Sequence, residues 1–223
     1  MSLIIESSEL WLASTNCYVA ASEPGGLAIV IDAPPEPTAI GELLAEHNLT
    51  PVGLLLTHGH VDHSGGAGGF VGQSGVSAYV HPDDDFLTLH PSEQIRQLFG
   101  ATLSEGDNND FMQPPEYEEL VDGMSLELAG LTVDVIHTPG HTPGHCCFFL
   151  KEEEVLFSGD QLFSGAIGRT DLLGGDYDTL MASMRDKVLP LPGETRVFPG
   201  HGPATTLNRE RQVNPFLQEF SSR

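Results

Sequence analysis

Residues 54–66 read LLLTHGHVDHSGG, which packs three histidines and one aspartate into a six-residue window just after an apolar run. Leu54, Leu55 and Leu56 fit the end of a buried strand. Ser64, Gly65 and Gly66 offer a cap and backbone freedom ahead of a helix. His58, His60, Asp62 and His63 therefore fall on a strand-to-helix loop, where a rigid scaffold commonly presents chemistry. Taken alone, the window fits either a metal site or a polar turn.

Working outward, three more strand ends repeat the arrangement. Leu131–Ile136 leads into HTPGHTPGH (137–145), Val155–Phe157 into Ser-Gly-Asp160, and Val197–Phe198 into Pro-Gly-His201. Each apolar strand stops at a metal-capable residue with glycine close by, and four such endings point to one shared site at a sheet edge. Imidazole nitrogen and carboxylate oxygen suit zinc, and equally iron or manganese. His58 and His60 alternate along an extended loop, so both can face one ion, with His141 completing that set. Asp62, His63 and His201 form a neighbouring set, and Asp160, able to bind through two oxygens, suits the place between them. Two ions about 3.5–4 Å apart would bring the pKa of a bridging water near neutrality and make hydroxide the nucleophile. His137 and His145 fit either a role orienting a ligand or plain strand-end filling. His47, His81 and His90 read as ordinary solvated or hydrogen-bonded histidines.

Composition narrows the partners. The 223 residues suffice for one sizeable domain, 1–223, and contain no linker-like break. Nine Lys and Arg stand against 32 Asp and Glu, a formal net charge of −23. Nucleic acid and anionic membranes both require a cationic surface, so neither is an expected partner. No basic, apolar leader opens the chain, and no run approaches the roughly 20 apolar residues of a membrane span. The cysteines, Cys17, Cys146 and Cys147, are odd in number and two are adjacent, which disfavours a disulfide framework. A reducing, cytoplasmic location is expected.

Apolar patterning predicts strands at Leu3–Ile5, Cys17–Ala21, Leu27–Ile31, Val52–Thr57, Ser77–Val80, Ser125–Leu128, Leu131–Ile136, His145–Leu150, Val155–Ser158 and Arg196–Phe198. Helices are expected from Pro37 to Asn48, from Gly65 to Gln73, over Asp178–Lys187, and over Thr206–Phe220 with a break near Pro215. Residues 83–99 read as helical or irregular, and the acidic stretch 101–119 as a surface loop or a lid over the site. Strands followed by helices, twice over, suggest two sheets with helices outside them.

These residues resemble the metallo-β-lactamase superfamily, whose hallmark HxHxDH stands here as His58-Gly-His60-Val-Asp62-His63, followed by a later His, Asp and His. The resemblance spans nearly the whole chain and implies an αββα sandwich, a four-layer α/β (α+β) fold with a dinuclear site at its edge. Carried over by position, it implies one metal on His58, His60 and His141, a second on Asp62, His63 and His201, and Asp160 between them. Asp62 and Asp160 become the catalytic carboxylates. Within the superfamily, TPGHTPGH and SGDQLFSGAIGRTDLLGGD resemble the glyoxalase II-like hydrolases. That group implies hydrolysis of an acyl-glutathione thioester such as S-lactoylglutathione by a metal-activated hydroxide. Its basic contact to glutathione carboxylate matches Arg169, which fits equally an ion pair with Asp171 or Asp176. The longer enzymes of that group append a C-terminal helical domain, whereas only 22 residues follow His201 here. Two other readings share the fold: a mono-iron glutathione persulfide dioxygenase using His58, His141 and Asp160, and a lactone or other ester hydrolase.

Overall fold

The computed structural model describes residues 3–90, 94–96, 111 and 116–220. The first sheet holds β1 (Ile4–Leu10), β2 (Thr15–Ala21), β3 (Leu27–Ile31), β4 (Thr50–Leu55), β5 (Ala78–Val80) and β6 (Tyr117–Glu119), adjacent in that order. The first three strands run antiparallel, and β3 to β6 run parallel. The second sheet runs β14-β13-β10-β9-β8-β7 and is built from β7 (Ser125–Leu128), β8 (Leu131–His137), β9 (Cys146–Leu150), β10 (Val155–Gly159), β13 (Arg196–Pro199) and β14 (Thr205–Thr206). Between β10 and β13 a small hairpin, β11 (Leu162–Phe163) with β12 (Ala166–Ile167), stands apart.

Strand alternation sorts the apolar residues into three layers of core. Cys17, Val19, Ala28, Val30, Leu54 and Leu56 pack outward under α1 (Pro37–Glu46), with α2 (Val61–Ser64) and α3 (Ala67–Ser74) following β4. Their neighbours Tyr18, Ile29, Ile31 and Leu55 point the other way and meet Val133, Val135, Phe148 and Phe157 between the sheets. On the far side, Cys147, Phe149 and Leu156 pack with Met184, Val188, Leu207 and Leu217. The result is the αββα sandwich expected from the sequence. Phe148 and Phe157 are fully buried at its centre, each contributing about 1.5–3 kcal/mol by leaving water. Strands covered on both faces read as unbroken apolar runs, as CCFFL in β9 does. The same alternation sends Cys146 and Cys147 to opposite faces, and all three cysteines are free.

Most predicted elements are present, and the differences have local causes. Pro37 begins α1 in the first turn, where a missing N–H costs nothing. Residues 83–99 resolve in part into a 3₁₀ turn, Pro82–Asp84, and the short α4 (Asp85–Thr88). The 101–119 loop lies largely outside the described residues, but its end is not loop: Tyr117–Glu119 pairs with β5 as an edge strand. The helix expected over Asp178–Lys187 begins as α5 (Tyr177–Ser183), capped by Asp176 through Thr179 N, and widens to a π-turn over Met184–Val188. The terminal helix splits into α6 (Leu207–Val213) and a 3₁₀ segment, Pro215–Phe220. Pro215 holds Asn214 extended, at ψ 118°, which ends α6. Ser64 caps nothing; its hydroxyl donates back to the carbonyls of Gly59 and His60. Among the described residues, no helix is long and apolar enough to cross a membrane.

Candidate metal centre

Each strand that ends in a metal-capable residue ends at the same edge of the sandwich. The loop after β4 supplies His58 and His60, the short α2 supplies Asp62 and His63, which the sequence pattern places on the loop, and the loops after β8, β10 and β13 supply His141, Asp160 and His201. Three overlapping groups result: His58 with His60 and His141, His58 with His63 and Asp160, and Asp62 with His63 and His201. Within each group the ligand atoms lie within 4.8 Å of one another. His60 Nδ1 is 2.9 Å from His141 Nε2 and 3.1 Å from His58 Nε2. His63 Nε2 is 3.3 Å from His201 Nε2, and Asp62 Oδ2 is 3.2 Å from the latter. Asp160 spans the groups, with Oδ1 3.3 Å from His63 and Oδ2 3.4 Å from His141 and 3.6 Å from His201.

The far sides of three of the rings, His141, His63 and His58, are held by the chain. His141 Nδ1–H donates to the Arg169 carbonyl at 2.7 Å, and His63 Nδ1–H to Asp32 Oδ2 at 2.8 Å. His58 Nδ1 meets Thr57 Oγ1, whose own proton goes to Asp32. A carbonyl or carboxylate only accepts, so these outer nitrogens carry the hydrogens and the inner ones keep their lone pairs. Bare nitrogens facing each other at about 3 Å repel unless a cation lies among them. Burial, reinforced by neighbouring rings, pushes His58 well below the usual histidine range and His60 down to about 3, so both are neutral donors. Around His63 burial acts the same way, but Asp62, Asp160 and Asp32 outweigh it and hold the ring well above its usual range. Burial raises the Asp62 and Asp160 carboxyls, yet the charge of His63 leaves both well below the usual carboxylate range. Asp160 Oδ1 is buried without a hydrogen bond. Neutral His58 and His60 beside two ionised carboxylates are donor chemistry for a divalent cation, which would take the place of the inner proton on charged His63. The residues fit the group.

A cavity of 290 Å³ opens over these atoms, walled by Trp11, Ala13 and Leu172 and rimmed by Arg169. Phe111, from the 101–119 stretch, packs edge-on against Trp11 with ring centroids 5.9 Å apart. The Arg169 side chain is tied through two hydrogen bonds to Asp171, while Asp176 is the helix cap. A larger, shallow cavity of 710 Å³ lies at the opposite strand ends, against Glu152, Glu153 and Arg196, away from every ligand-capable cluster named above. Arg209 and Arg211 stay structural: Arg209 reaches Ser164 and Glu210, and Arg211 the carbonyls of Leu189 and Leu191.

His145, read as either an orienting residue or filler, accepts the Asp160 backbone N–H at its Nε2, 3.0 Å away. His137 donates to the Pro143 carbonyl and stacks on His81, centroids 4.0 Å apart and planes at 10°. Asp83 completes a fourth ligand-capable group with that pair, but parallel rings aim their in-plane lone pairs side by side, so they do not converge on one ion. Sequence reading missed Asp32, Asp84 and Gln94. Asp32 follows β3 directly, so the strand-end rule that finds the ligands also covers it. Asp84 and Gln94 stand away from any strand end and carry no such signal. Gln94 clasps the loop around His60, accepting from Val61 N and donating to the Gly59 and Leu87 carbonyls.

A layered sandwich that gathers histidine and aspartate at one edge defines the class of metal-dependent hydrolases. The sequence profile of the metallo-beta-lactamase superfamily matches residues 10–201, and the chain belongs to that superfamily. The hydroxyacylglutathione hydrolase GloC of Haemophilus influenzae is 38% identical over 92% of this chain and 94% of its own. Among solved structures, the BLEG-1 B3 metallo-beta-lactamase superposes with TM-score 0.86 at 36% identity, covering 96% of this chain and 99% of that one. TTHA1623, solved in a di-iron-bound form, gives TM-score 0.83 at 38% identity, covering 95% and 100%.

Proposed function

We propose that the chain hydrolyses an acyl-glutathione thioester, S-lactoylglutathione being the representative substrate, with two divalent ions at the strand-end centre. Zinc is the first choice, with iron or manganese as alternatives. One set of ligands is His58, His60 and His141, the other Asp62, His63 and His201, and Asp160 lies between them. The observation that carries this reading is the full complement of seven ligand-capable side chains gathered at one sheet edge, five of which, His60, Asp62, His141, Asp160 and His201, line one cavity. Similarity to a hydroxyacylglutathione hydrolase supports the thioester. When bound, such ions polarise a carbonyl and make water more acidic near neutral pH. The residues of this chain do the rest. Ionised Asp62 accepts the Thr15 hydroxyl at 3.0 Å, which fixes the carboxylate facing His201 and leaves it able to take up a proton from water. Trp11, Ala13 and Leu172 form an apolar wall against the acyl or thiol carbon chain and shield the reacting carbonyl from bulk water.

Arg169 is assigned to a substrate carboxylate. Its pairing with Asp171 does not oppose this, because both side chains are exposed and solvent screens such a surface pair so that it holds the arginine only weakly. Arg169→Ala removes the side chain but keeps the carbonyl that holds His141. It is expected to raise KM for S-lactoylglutathione about tenfold, the worth of one charge-assisted hydrogen bond, with kcat nearly unchanged. An unchanged KM would leave Arg169 as a surface ion pair only.

The oxygenase reading needs only His58, His141 and Asp160, and it leaves His60, Asp62, His63 and His201 without a task. Metal content of the purified protein, followed by thioester hydrolysis and oxygen uptake with glutathione persulfide, separates the two. Two ions per chain with thioester turnover is the expected result. One iron per chain with persulfide-dependent oxygen uptake would sink the hydrolase proposal. Two ions with neither activity would move the substrate to lactones or other esters.

A further inference from the structure

We infer that Asp84 is a positioning residue for this centre, one that sets the spacing between the loop of His58 and His60 and the loop of His141. The inference rests on the metal-centre reading above. Asp84 closes the 3₁₀ turn after β5, and its carboxylate is fully buried beneath both loops. From the first sheet, Oδ2 accepts the N–H of Gly59, the residue between His58 and His60, at 2.7 Å. From the second sheet, Oδ2 accepts the Thr142 hydroxyl and Oδ1 the Gly144 N–H, both at 2.7 Å. One carboxylate thus joins the chain on either side of the His60 Nδ1 to His141 Nε2 contact. The approach is close: a Cβ on Gly144 would lie 2.7 Å from Asp84 Cγ, so only glycine admits the carboxylate there. Asp84 makes no contact with the Asp62, His63 and His201 set, whose bracing comes from Asp32 through His63 and from Thr15 through Asp62. Asp32 thus reaches both sets, through His63 and through Thr57 to His58, whereas Asp84 braces the His58, His60 and His141 set.

An amide cannot replace this carboxylate. Its NH₂ must face either Gly59 N–H or Gly144 N–H, donor against donor, and one loop is released. Asp84→Asn is therefore expected to weaken one metal equivalent and spare the other. Metal-free protein titrated with Co²⁺, read by visible absorption, should take up two equivalents in the wild type. In Asp84→Asn the first equivalent should bind as in the wild type and the second 10–100-fold more weakly, the loss typical when a hydrogen-bonded support of a metal ligand is removed. Thr142→Val removes one of the three donors without changing the charge. It should weaken the same equivalent to a smaller degree, with far-UV circular dichroism and Tm reporting that the fold is kept. Two equivalents at wild-type affinity in both variants would overturn the role of Asp84. Equal weakening of both equivalents would also overturn it, since a general loss of negative charge or of fold predicts that pattern. A wild type that binds fewer than two equivalents fails the two-ion reading itself, and this assignment with it.

Discussion

Asp160→Ala is expected to empty both metal positions and to lower kcat/KM by about 10²–10³-fold or more, the scale on which a single preorganised electrostatic group acts. The expectation follows from reach. Among the described residues, Asp160 is the one carboxylate within 3.6 Å of nitrogens from both ligand sets, reaching His63, His141 and His201. Removing it leaves two groups of imidazoles with no shared anion and takes away much of the charge that opposes a pair of cations. The loss should be local, because Asp160 sits at the end of β10 and contributes nothing to the apolar layers. Elemental analysis after dialysis measures occupancy, and Tm reports the fold. If the variant keeps two ions and its rate, the place assigned to Asp160 between the sets is wrong.

Gly200→Ala should disable the centre by geometry alone. A Cβ at residue 200 would stand 2.3 Å from Asp160 Oδ1 and 2.6 Å from His63 Cε1. Bringing these to ordinary contact moves a carboxylate and an imidazole by about 1 Å, a displacement that typically costs about 10²-fold in rate. The backbone has little room to retreat. Gly200 N donates to the Gly159 carbonyl and Gly200 O accepts from Asn16 N, both at 2.8 Å. Asn16 further holds the Pro199 and Gly202 carbonyls. Reduced metal content and rate with native circular dichroism is the expected result. Wild-type activity would mean that this edge of the sandwich yields more readily than its hydrogen bonds suggest.

The endings that bear ligand-capable residues are legible because each writes such a residue within a few positions of a strand's buried apolar residues. Leu54 to Leu56, Leu131 to Ile136, Val155 to Phe157 and Val197–Phe198 all do so. The sandwich is legible for the same reason, since such runs need cover on two sides. Asp84 is not legible: HPDDD offers three aspartates in a row, and only packing shows that the middle one, Asp84, turns inward. Tyr117–Glu119 hides because an exposed edge strand needs no apolar alternation, and β11–β12 because two-residue strands carry no period. The position of Arg169 at the cavity rim follows from the turn after β12, which residue type alone does not set.

The ligand-capable side chains come from both sheets: four from the loop and short helix after β4, and three from loops of the second sheet. Any ion held by His58, His60 and His141 thereby becomes a crosslink across the interface filled by Phe148 and Phe157. Occupancy and sheet cohesion then form one linked equilibrium. At free metal a hundredfold above Kd, each such ion adds about 2.7 kcal/mol to the folded state. In a chain of this size that corresponds to a melting point raised by about 5–11 °C per ion. Calorimetry with and without chelator measures this directly. On the proposed two-ion reading, metal supply would govern how long the protein survives as well as whether it turns over.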